Sequence, residues 1–172
     1  FTVMTPMVDV VARAVALVRP HARHIVIGGP HPTAVGDQVF DDLPGIDAAV
    51  EGEGEAVIGP LLEWWQSGAT QGPPDGARIA DHAFTPCTAL PDIHDIPKPA
   101  RDLLPASAYR YLFATRRGFA TMITSRGCPF ACSFCDKSVS GSRWRAREAA
   151  DVVDEMAALQ ASGVGFINFY DD

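Results

Sequence analysis

The chain has 172 residues, of which 47% are hydrophobic and 20% charged, a composition typical of a globular protein rather than a disordered one. No apolar run approaches the roughly 18–20 residues that span a bilayer, and no secretory signal is visible, so we expect a cytoplasmic protein without a membrane span. The formal net charge of −7 argues against a general binder of nucleic acids or membrane surfaces.

Charged side chains are divided unevenly along the chain. Residues 1–100 carry 5 basic and 13 acidic side chains, whereas residues 101–172 carry 9 basic and 8 acidic ones. Three of the four cysteines lie in the basic stretch 116–147, and the fourth, Cys87, stands apart. The basic half of the chain therefore holds the cluster of residues best suited to bind a metal.

Short apolar strands alternate with helices in the first part of the chain. The strands are predicted at residues 1–5, 24–27 and 46–50. Thr5 and Pro6 favour the start of a helix that Pro20 ends, a weaker helix is predicted over 34–43, and a third continues through Trp65. Continuous apolar strands separated by helices indicate a parallel α/β sheet.

The stretch 67–117 interrupts this pattern. It is rich in proline and mostly lacks a regular hydrophobic period. We therefore predict a linker at 67–117 between a first domain at 1–66 and a second domain that begins at 118.

Regular structure returns in the second domain, 118–172. A strand is predicted over 119–125 and another over 164–170, with a helix over 147–161 between them. Gly163 favours the end of that helix. Its apolar face is predicted to comprise Ala149, Val152, Val153, Met156 and Leu159. This order predicts a β–loop–α–β unit with parallel strands.

The loop after the first of these strands contains Cys128, Cys132 and Cys135, in the spacing C-x3-C-x2-C. Three neighbouring cysteines cannot all pair with one another as disulfides. Structural zinc needs a fourth nitrogen or sulfur ligand, and no histidine follows His94. An iron–sulfur cluster with one open iron needs only three protein ligands. The spacing favours such a cluster, with zinc and an unrelated group of buried cysteines as the alternatives.

This cysteine motif, with Phe134 before its last member, resembles that of the radical S-adenosylmethionine (radical SAM) enzymes. The resemblance implies a [4Fe–4S] cluster on Cys128, Cys132 and Cys135, and S-adenosylmethionine (SAM) chelated by the fourth iron. It further implies reductive cleavage of SAM to a 5′-deoxyadenosyl radical. Phe134 would lie near the adenine. Asp171 and Asp172 would contact the methionine amino group, at a strand end where many members carry Gly-Gly-Glu.

Two further strings resemble the branch of this family that has a cobalamin-binding domain before the radical domain. The first runs from Thr124 through the cysteines to Trp144-Arg-Ala-Arg147 and Val153-Asp-Glu155. The second comprises Val3-Met-Thr-Pro, Ile27-Gly-Gly-Pro-His-Pro-Thr and Glu51-Gly-Glu-Gly-Glu. The residues that this resemblance places at the cobalamin rim are Thr2, Met4, Gly28, Gly29, Pro30, Glu51 and Gly52.

Several residues depart from that family pattern or lie beside it. The Asp-x-His-x-x-Gly signature of many cobalamin domains is absent, and Asp92-Ile-His94 does not replace it. His94 is interpreted as a surface loop residue and Cys87 as a plain buried or linker residue. His31 follows the Gly-Gly-Pro turn and is interpreted as a satisfied or exposed histidine, with a place near the cobalamin tail as the alternative.

The fold implied by the resemblance is α/β. It comprises part of a Rossmann-like, flavodoxin-like cobalamin-binding domain, followed by the first β-α-β of a radical SAM partial (β/α)6 TIM-like barrel. Because the chain begins without Met and resembles parts of two domains, we expect a piece of a longer protein that is inactive by itself.

The function implied is that of a cobalamin-dependent radical SAM enzyme. Its deoxyadenosyl radical would abstract hydrogen from the substrate, followed by methyl transfer from methylcobalamin to carbon or by oxidative cyclisation. The expected partners are a small-molecule, lipid or natural-product substrate and an electron donor of the flavodoxin or ferredoxin type. One alternative is a methylthiotransferase, a class that carries three further N-terminal cysteines, whereas residues 1–66 contain none. The other is a non-catalytic metal-binding α/β module.

Overall fold

The computed structural model describes residues 1–103, 109, 111–112 and 118–172. Residues 104–108, 110 and 113–117 of the predicted linker, which include Arg116 and Arg117, lie outside the described residues. The chain forms two compact units, Phe1–Pro91 with Ser133–Ser140, and Asp92–Cys132 with Gly141–Asp172. The described part of the stretch 67–117 is thus divided between the units at Pro91.

The first unit contains four helices and three strands among its described residues. The helices are α1 (Val8–Val18), α2 (Pro30–Val35), α3 (Val39–Asp42) and α4 (Glu55–Gln66). Three-residue 3-10 turns lie at Thr5–Met7, Arg19–His21 and Gly36–Gln38. The strands are β1 (Val26–Ile27), β2 (Ala48–Val50) and β3 (Ala77–Arg78).

The sheet of the first unit has the order β1-β2-β3. Strands β1 and β2 are parallel, with Ile27 opposite Ala49, as the alternating pattern predicts. Strand β3 runs antiparallel to β2, with Val50 opposite Ala77. The sequence prediction missed β3, because the surrounding prolines and glycines hide a strand of two residues.

The predicted strand at residues 1–5 is reduced to a single parallel bridge between Thr2 and Gly28. Pro6 has no amide hydrogen, and the Met4 carbonyl accepts from the Met7 amide at 2.8 Å to start the 3-10 turn. The chain therefore leaves the sheet after Val3.

Helices cover both faces of this sheet. Val11 and Val15 of α1 pack in one apolar cluster with Ala49. Val57 and Leu61 of α4 pack in the other cluster, which contains Ala48 and Val50. Because successive strand residues point to opposite faces, α1 and α4 lie on opposite sides of β2. The α/β fold predicted from the sequence is confirmed.

The second unit is a parallel β–loop–α–β arrangement, as predicted. Its described elements are a 3-10 turn at Arg101–Leu103, β4 (Phe119–Met122), β5 (Ser125–Arg126), β6 (Arg145–Ala146), α5 (Ala149–Ala161) and β7 (Phe166–Phe169). Strands β4 and β7 pair in parallel, from Phe119 opposite Phe166 to Met122 opposite Phe169. Gly163 follows α5 with φ +91°, a left-handed conformation that suits a glycine at a helix end.

The inward face of α5 agrees only in part with the predicted one, since Val152 and Leu159 pack in the apolar cluster as predicted. Leu159 packs with Ala120 and Met122, but Val153 is 61% exposed and Met156 37% exposed. Glu155, which lies between the predicted apolar positions, is buried instead. A buried carboxylate requires a charged partner, so the arginines around this helix decide which face is turned inward.

Among the described residues, none of the helices has the length and apolar character that a membrane crossing requires.

Candidate functional site

The cysteine loop is closed at its base by a short antiparallel ladder. Ser125 and Arg126 of β5 lie opposite Ala146 and Arg145 of β6. Beyond the ladder, the Cys128 amide donates to the Gly141 carbonyl at 3.3 Å. The loop therefore leaves and returns at one fixed point beside the carboxyl end of β4. The sequence prediction missed this ladder, since each strand has only two residues.

The structure shows no disulfide at the three cysteines of this loop. Cys132 and Cys135 are exposed and Cys128 is half-buried. Cys128 and Cys132 belong to the second unit, whereas Cys135 belongs to the segment Ser133–Ser140 of the first. Phe134, the residue predicted to lie near adenine, has a ring that is 90% exposed.

The donor set suits a cluster in its chemistry but does not form a ready-made cage. Three thiolates in one irregular loop are the ligand type that iron–sulfur clusters use. Among the residues that the structure describes, no three metal-ligating side chains converge on a common point. Metal binding itself often orders such ligands, so the assignment of the three cysteines stays a prediction.

Asp171 lies at the end of β7 and binds the chain that enters the cysteine loop. Its Oδ1 accepts from the Thr124 amide at 2.6 Å and from the Ser125 amide at 3.0 Å. The Thr124 hydroxyl donates to its Oδ2. Partial burial by itself would raise the pKa of Asp171, but these hydrogen bonds and the charge of Arg147 outweigh it and lower the pKa. Asp171 is therefore an anionic anchor for the loop entry.

Asp172 makes a similar contact one step closer to the first cysteine. Its Oδ2 accepts from the Gly127 amide at 2.8 Å. Gly127 has φ +80°, a backbone conformation that glycine adopts without strain. The structure thus brings both predicted strand-end aspartates to the cysteine loop. Their predicted contact with the methionine amino group stays a prediction.

A network of ions, absent from the sequence prediction, supports this loop base from α5. Arg147 Nη2 lies 2.6 Å from Asp151 Oδ2 and 2.7 Å from Glu155 Oε2. The latter contact is an ion pair rather than an aligned hydrogen bond. Arg101 Nη1 lies 2.5 Å from Glu155 Oε1, and Lys98 Nζ lies 2.7 Å from Asp151 Oδ1. A sequence signal for this network does exist: Arg147, Asp151 and Glu155 are each four positions apart. Residues with this spacing lie on one face of a helix and can form ion pairs.

Protonation states in this network follow from its contacts. Burial alone would lower the pKa of Arg147, but its hydrogen bonds to Asp151 and its ion pair with Glu155 raise it. Hydrogen bonds from Lys98 and Arg147 lower the pKa of Asp151. Arg147 and Asp151 therefore both stay charged near neutral pH.

The same arginines bind the backbone at the carboxyl end of β4. Arg147 Nη1 donates to the Ile123 carbonyl at 3.0 Å, and Arg101 Nη2 donates to the Thr121 carbonyl at 2.7 Å. The Arg147 amide donates to the Thr124 carbonyl at 2.8 Å. Side-chain and backbone hydrogen bonds thus bind three carbonyl groups in the last residues before the cysteine loop.

In the first unit, the predicted rim forms around the Gly28-Gly29 turn. The Val3 amide donates to the Gly28 carbonyl at 2.8 Å, which places Thr2 beside the turn. Gly29 has φ +101°, and a Cβ there would lie 2.9 Å from Thr2 Cγ2. The glycine is therefore required by the close approach of the chain's own Thr2 and Val3, whether or not a ligand also approaches. Pro30 follows as the first residue of α2, and Met4 is 52% exposed.

Thr33 connects this turn to the next strand end. Its hydroxyl donates to the Gly29 carbonyl at 2.8 Å and accepts from the Gly52 amide at 3.1 Å. A Cβ on Gly52 would lie 3.7 Å from the Val139 carbonyl, within the same unit. The two glycine turns predicted to line one rim are therefore neighbours, and Thr33 is a rim residue that the sequence prediction did not include.

Glu51 is engaged by an arginine from the unpredicted strand β3. Arg78 Nε donates to Glu51 Oε1 at 2.7 Å, and Arg78 Nη1 lies 2.5 Å from Asp37 Oδ1. The guanidinium also lies 3.9 Å above the centre of the Phe84 ring. Burial alone would lower the pKa of Arg78, but its hydrogen bonds to Asp37 and Glu51 raise it. Glu51 therefore lies at the rim and forms an ion pair with Arg78.

The remaining residues considered in the sequence are placed as follows. His31 is 2% exposed, with Nδ1 3.3 Å from Thr5 Oγ1 and Nε2 3.2 Å from Asp42 Oδ2. Cys87 is half-buried against the apolar cluster of α4. The exposed His94 donates its amide to the Asp92 carboxylate in a turn. The interpretation of His94 as a surface residue is confirmed. His31 is buried, and its Nε2 makes no hydrogen bond to Asp42 in spite of the short distance, so the interpretation of a fully satisfied histidine is not confirmed. The interpretation of Cys87 as a plain residue stays a prediction.

Comparison with known proteins places these features in a family. No protein-family model matches the chain. An uncharacterised methyltransferase of Pyrococcus horikoshii is 34% identical over 86% of this chain and 33% of its own length. The anaerobic magnesium-protoporphyrin IX monomethyl ester cyclase of Rubrivivax gelatinosus is 32% identical over 99% of this chain and 32% of its own length. The cobalamin-dependent radical SAM methyltransferase TokK of Streptomyces tokunonensis is 33% identical over 65% of this chain and 17% of its own length.

The chain belongs to the cobalamin-binding radical SAM family.

The fold of this member of the radical SAM family is also found in a solved structure. The methyltransferase TsrM from Kitasatospora setae, with cobalamin and a [4Fe–4S] cluster bound, superimposes with a TM-score of 0.68 at 22% identity. The overlap covers 96% of this chain and 34% of TsrM. The chain spans about a third of the length of the first curated relatives it matches.

Proposed function

We propose that this chain is part of a cobalamin-dependent radical SAM enzyme of the methyltransferase class. The observation that carries the proposal is the cysteine loop itself. Its C-x3-C-x2-C thiols are accessible, and its base is tied to the carboxyl end of a strand in an α/β unit. In α/β sheets, ligands bind at the carboxyl ends of the strands. Relatives at 32–34% identity, among them a cobalamin-dependent radical SAM methyltransferase, support this interpretation.

In this proposal, Cys128, Cys132 and Cys135 hold the [4Fe–4S] cluster. When bound, the cluster supplies one electron for the reductive cleavage of SAM to a 5′-deoxyadenosyl radical, which abstracts hydrogen from the substrate. The exposed ring of Phe134 offers a flat apolar surface for the adenine. Basic residues in the loop and at its base, including Lys137 and Arg145, favour an anionic thiolate-bound group.

Cobalamin is assigned to the rim of the first unit. The residues proposed to line it are Thr2, Met4, Gly28, Gly29, Pro30, Glu51 and Gly52. The Gly28-Gly29 and Glu51-Gly52 turns lie side by side at the carboxyl ends of β1 and β2, connected by Thr33. This is the edge of a parallel sheet where ligands bind. Bound methylcobalamin would supply the methyl group that is transferred to carbon.

Oxidative cyclisation is the second candidate reaction. It is favoured by the cyclase relative, which matches 99% of this chain at 32% identity. A methylthiotransferase is disfavoured, because residues 1–66 lack the three further cysteines of that class. We assign a small-molecule, lipid or natural-product substrate and a flavodoxin- or ferredoxin-type electron donor as partners.

Anaerobic reconstitution with iron and sulfide tests this proposal. We expect about four irons per chain, as a [4Fe–4S] cluster requires. Replacement of Cys128, Cys132 or Cys135 by Ala should each abolish that uptake. Cys87→Ala is the matched control and should leave uptake unchanged, since Cys87 packs against the apolar cluster of α4. Tight zinc without iron, or full iron uptake by all three loop variants, would contradict the proposal.

A further inference from the structure

The two aspartates at the end of β7 point to a function beyond the one that the family resemblance gives them. Asp171 accepts three hydrogen bonds, all from Thr124 and Ser125 at the entry of the cysteine loop. Asp172 accepts one from Gly127, the residue before Cys128. Together they bind three of the four consecutive backbone amides that lead to the first cysteine.

We propose that Asp171 and Asp172 are positioning residues that fix the loop entry and thereby the direction in which Cys128 is presented. The inference rests on the proposed function, because that function makes Cys128 a cluster ligand. The hydrogen bonds from the loop entry to the two aspartates are observed in this chain itself. A carboxylate offers about four acceptor positions, and Asp171 uses three of them for the loop. Little capacity remains at Asp171 for a substrate ammonium group.

The surrounding contacts make this anchor rigid. The Tyr170 amide donates to the Met122 carbonyl at 2.9 Å, which fixes the end of β7 beside the end of β4. Arg147 adds a favourable charge to Asp171 and binds the carbonyls of Ile123 and Thr124. The loop entry is thus held through its amides by aspartates and through its carbonyls by an arginine.

Hydrogen bonds from backbone amides to a carboxylate are charge-assisted and shorter and stronger than neutral ones. Their loss should release the loop entry without disturbing the β4–β7 ladder, which is held by its own backbone hydrogen bonds. The consequence is local: the amides of Thr124 and Ser125 become mobile, and Cys128 samples more directions. Cluster uptake should then fall because one of the three ligands is no longer held in place.

The first test requires no metal. Amide hydrogen exchange in the metal-free 172-residue chain should become on the order of tenfold faster at Thr124 and Ser125 in Asp171→Ala. The Phe166 amide, which donates to the Gly118 carbonyl beside β4, should be unchanged. Asp171→Asn keeps one acceptor oxygen and should lie between the wild type and the alanine variant. Asp154→Ala, an exposed aspartate on α5, is the matched control and should exchange as the wild type does. Unchanged exchange at Thr124 and Ser125 in Asp171→Ala would overturn the proposal, whatever the chain binds.

The second test uses the reconstituted chain after chemical reduction, because only the reduced [4Fe–4S] cluster gives an electron paramagnetic resonance signal. We expect Asp171→Ala to take up less iron and to give a broadened electron paramagnetic resonance signal before SAM is added, and Asp171→Asn to restore part of the uptake. A normal cluster signal in Asp171→Ala that fails to respond to SAM would instead assign Asp171 to SAM and overturn the positioning role. If the wild-type chain takes up no iron, the proposed function fails while the exchange result still decides the positioning role.

Discussion

Glu155 is the buried charge on which the second unit depends most. Its carboxylate is 4% exposed and lies between Arg101 and Arg147. Replacement by Ala leaves two guanidinium groups without their shared anion, and we expect a loss of about 3 kcal/mol in the free energy of unfolding. Urea unfolding followed by circular dichroism measures the change. The neighbouring Asp154→Ala should change the free energy by less than about 0.5 kcal/mol, and an equal effect from both variants would contradict this assignment.

Gly29 was predicted to line a ligand site, but the structure shows that contacts within the chain require a glycine there. The family resemblance places Gly28 and Gly29 at the cobalamin rim, whereas the structure shows Thr2 and Val3 against Gly29. Gly29→Ala combines a positive φ with a contact of 2.9 Å to Thr2 Cγ2. We expect a destabilisation of about 1–3 kcal/mol.

Paired variants locate the cause of that destabilisation. In a Thr2→Ser background, which removes the Cγ2 atom, the cost of Gly29→Ala should fall, because only the backbone strain and the contacts with the Val3 backbone remain. Thermal unfolding of the four chains in this double-mutant cycle gives the coupling energy. A coupling of zero would show that the contact with Thr2 does not matter.

At the scale of elements, α5 is attached to the segment before β4 by ions rather than by apolar packing alone. Lys98 and Arg147 both contact Asp151 and lower its pKa. A carboxylate whose pKa is lower in the folded state adds stability above its unfolded pKa and loses it as the pH falls through the folded value. The wild type and Asp151→Asn should therefore differ in stability near pH 7 and converge at pH values below the lowered pKa.

Unfolding midpoints measured for both chains from pH 7 down to pH 2 check this prediction. Asp154→Asn is the control, and its difference from the wild type should stay small throughout. A wild-type advantage over Asp151→Asn that persists undiminished at the lowest pH would contradict the assignment.

The elements predicted from sequence were those with a strong local signal. The helix at α1, the parallel pairing of β1 with β2 and the β4–α5–β7 unit follow from apolar periodicity and from proline and glycine punctuation. The two-residue strands β3, β5 and β6 escaped prediction, because a strand of that length has no period. They depend on tertiary contacts, such as the ion pair of Arg78 with Glu51.

The site was predictable to a similar extent. The spacing of the cysteines and the two strand-end aspartates could be read from the sequence. That Asp171 would bind Thr124, 47 positions away, could not, since side-chain pairing across a fold leaves no local pattern. The same holds for Arg101 and Glu155, which are 54 positions apart. The sequence therefore predicted candidate site residues, but neither their contacts nor the ion network around Glu155.

At the scale of the whole molecule, the uneven charge acquires a structural meaning. The acidic first part of the chain forms an α/β unit whose strand ends carry glycine turns. The basic part surrounds a loop of accessible thiols, and the arginines at its base are paired with acids of α5. Positive charge beside the loop favours an anionic metal–thiolate group over a neutral one. We expect cluster uptake to decrease as ionic strength rises, because salt screens this attraction.

Uptake of iron at several salt concentrations checks that expectation. Lys137→Gln, which removes one basic group inside the loop, should lower uptake at low salt and differ less from the wild type at high salt. Uptake that is equally salt-dependent in both chains would show that the local charge has no influence.

We propose above all that the three-cysteine loop holds a cluster whose open iron binds SAM. The most direct measurement is the electron paramagnetic resonance spectrum of the anaerobically reconstituted and reduced 172-residue chain, recorded with and without SAM. We predict the signal of a reduced [4Fe–4S] cluster that changes in shape when SAM is added. A cluster signal identical in the presence and absence of SAM, or no cluster signal at all, would contradict the account.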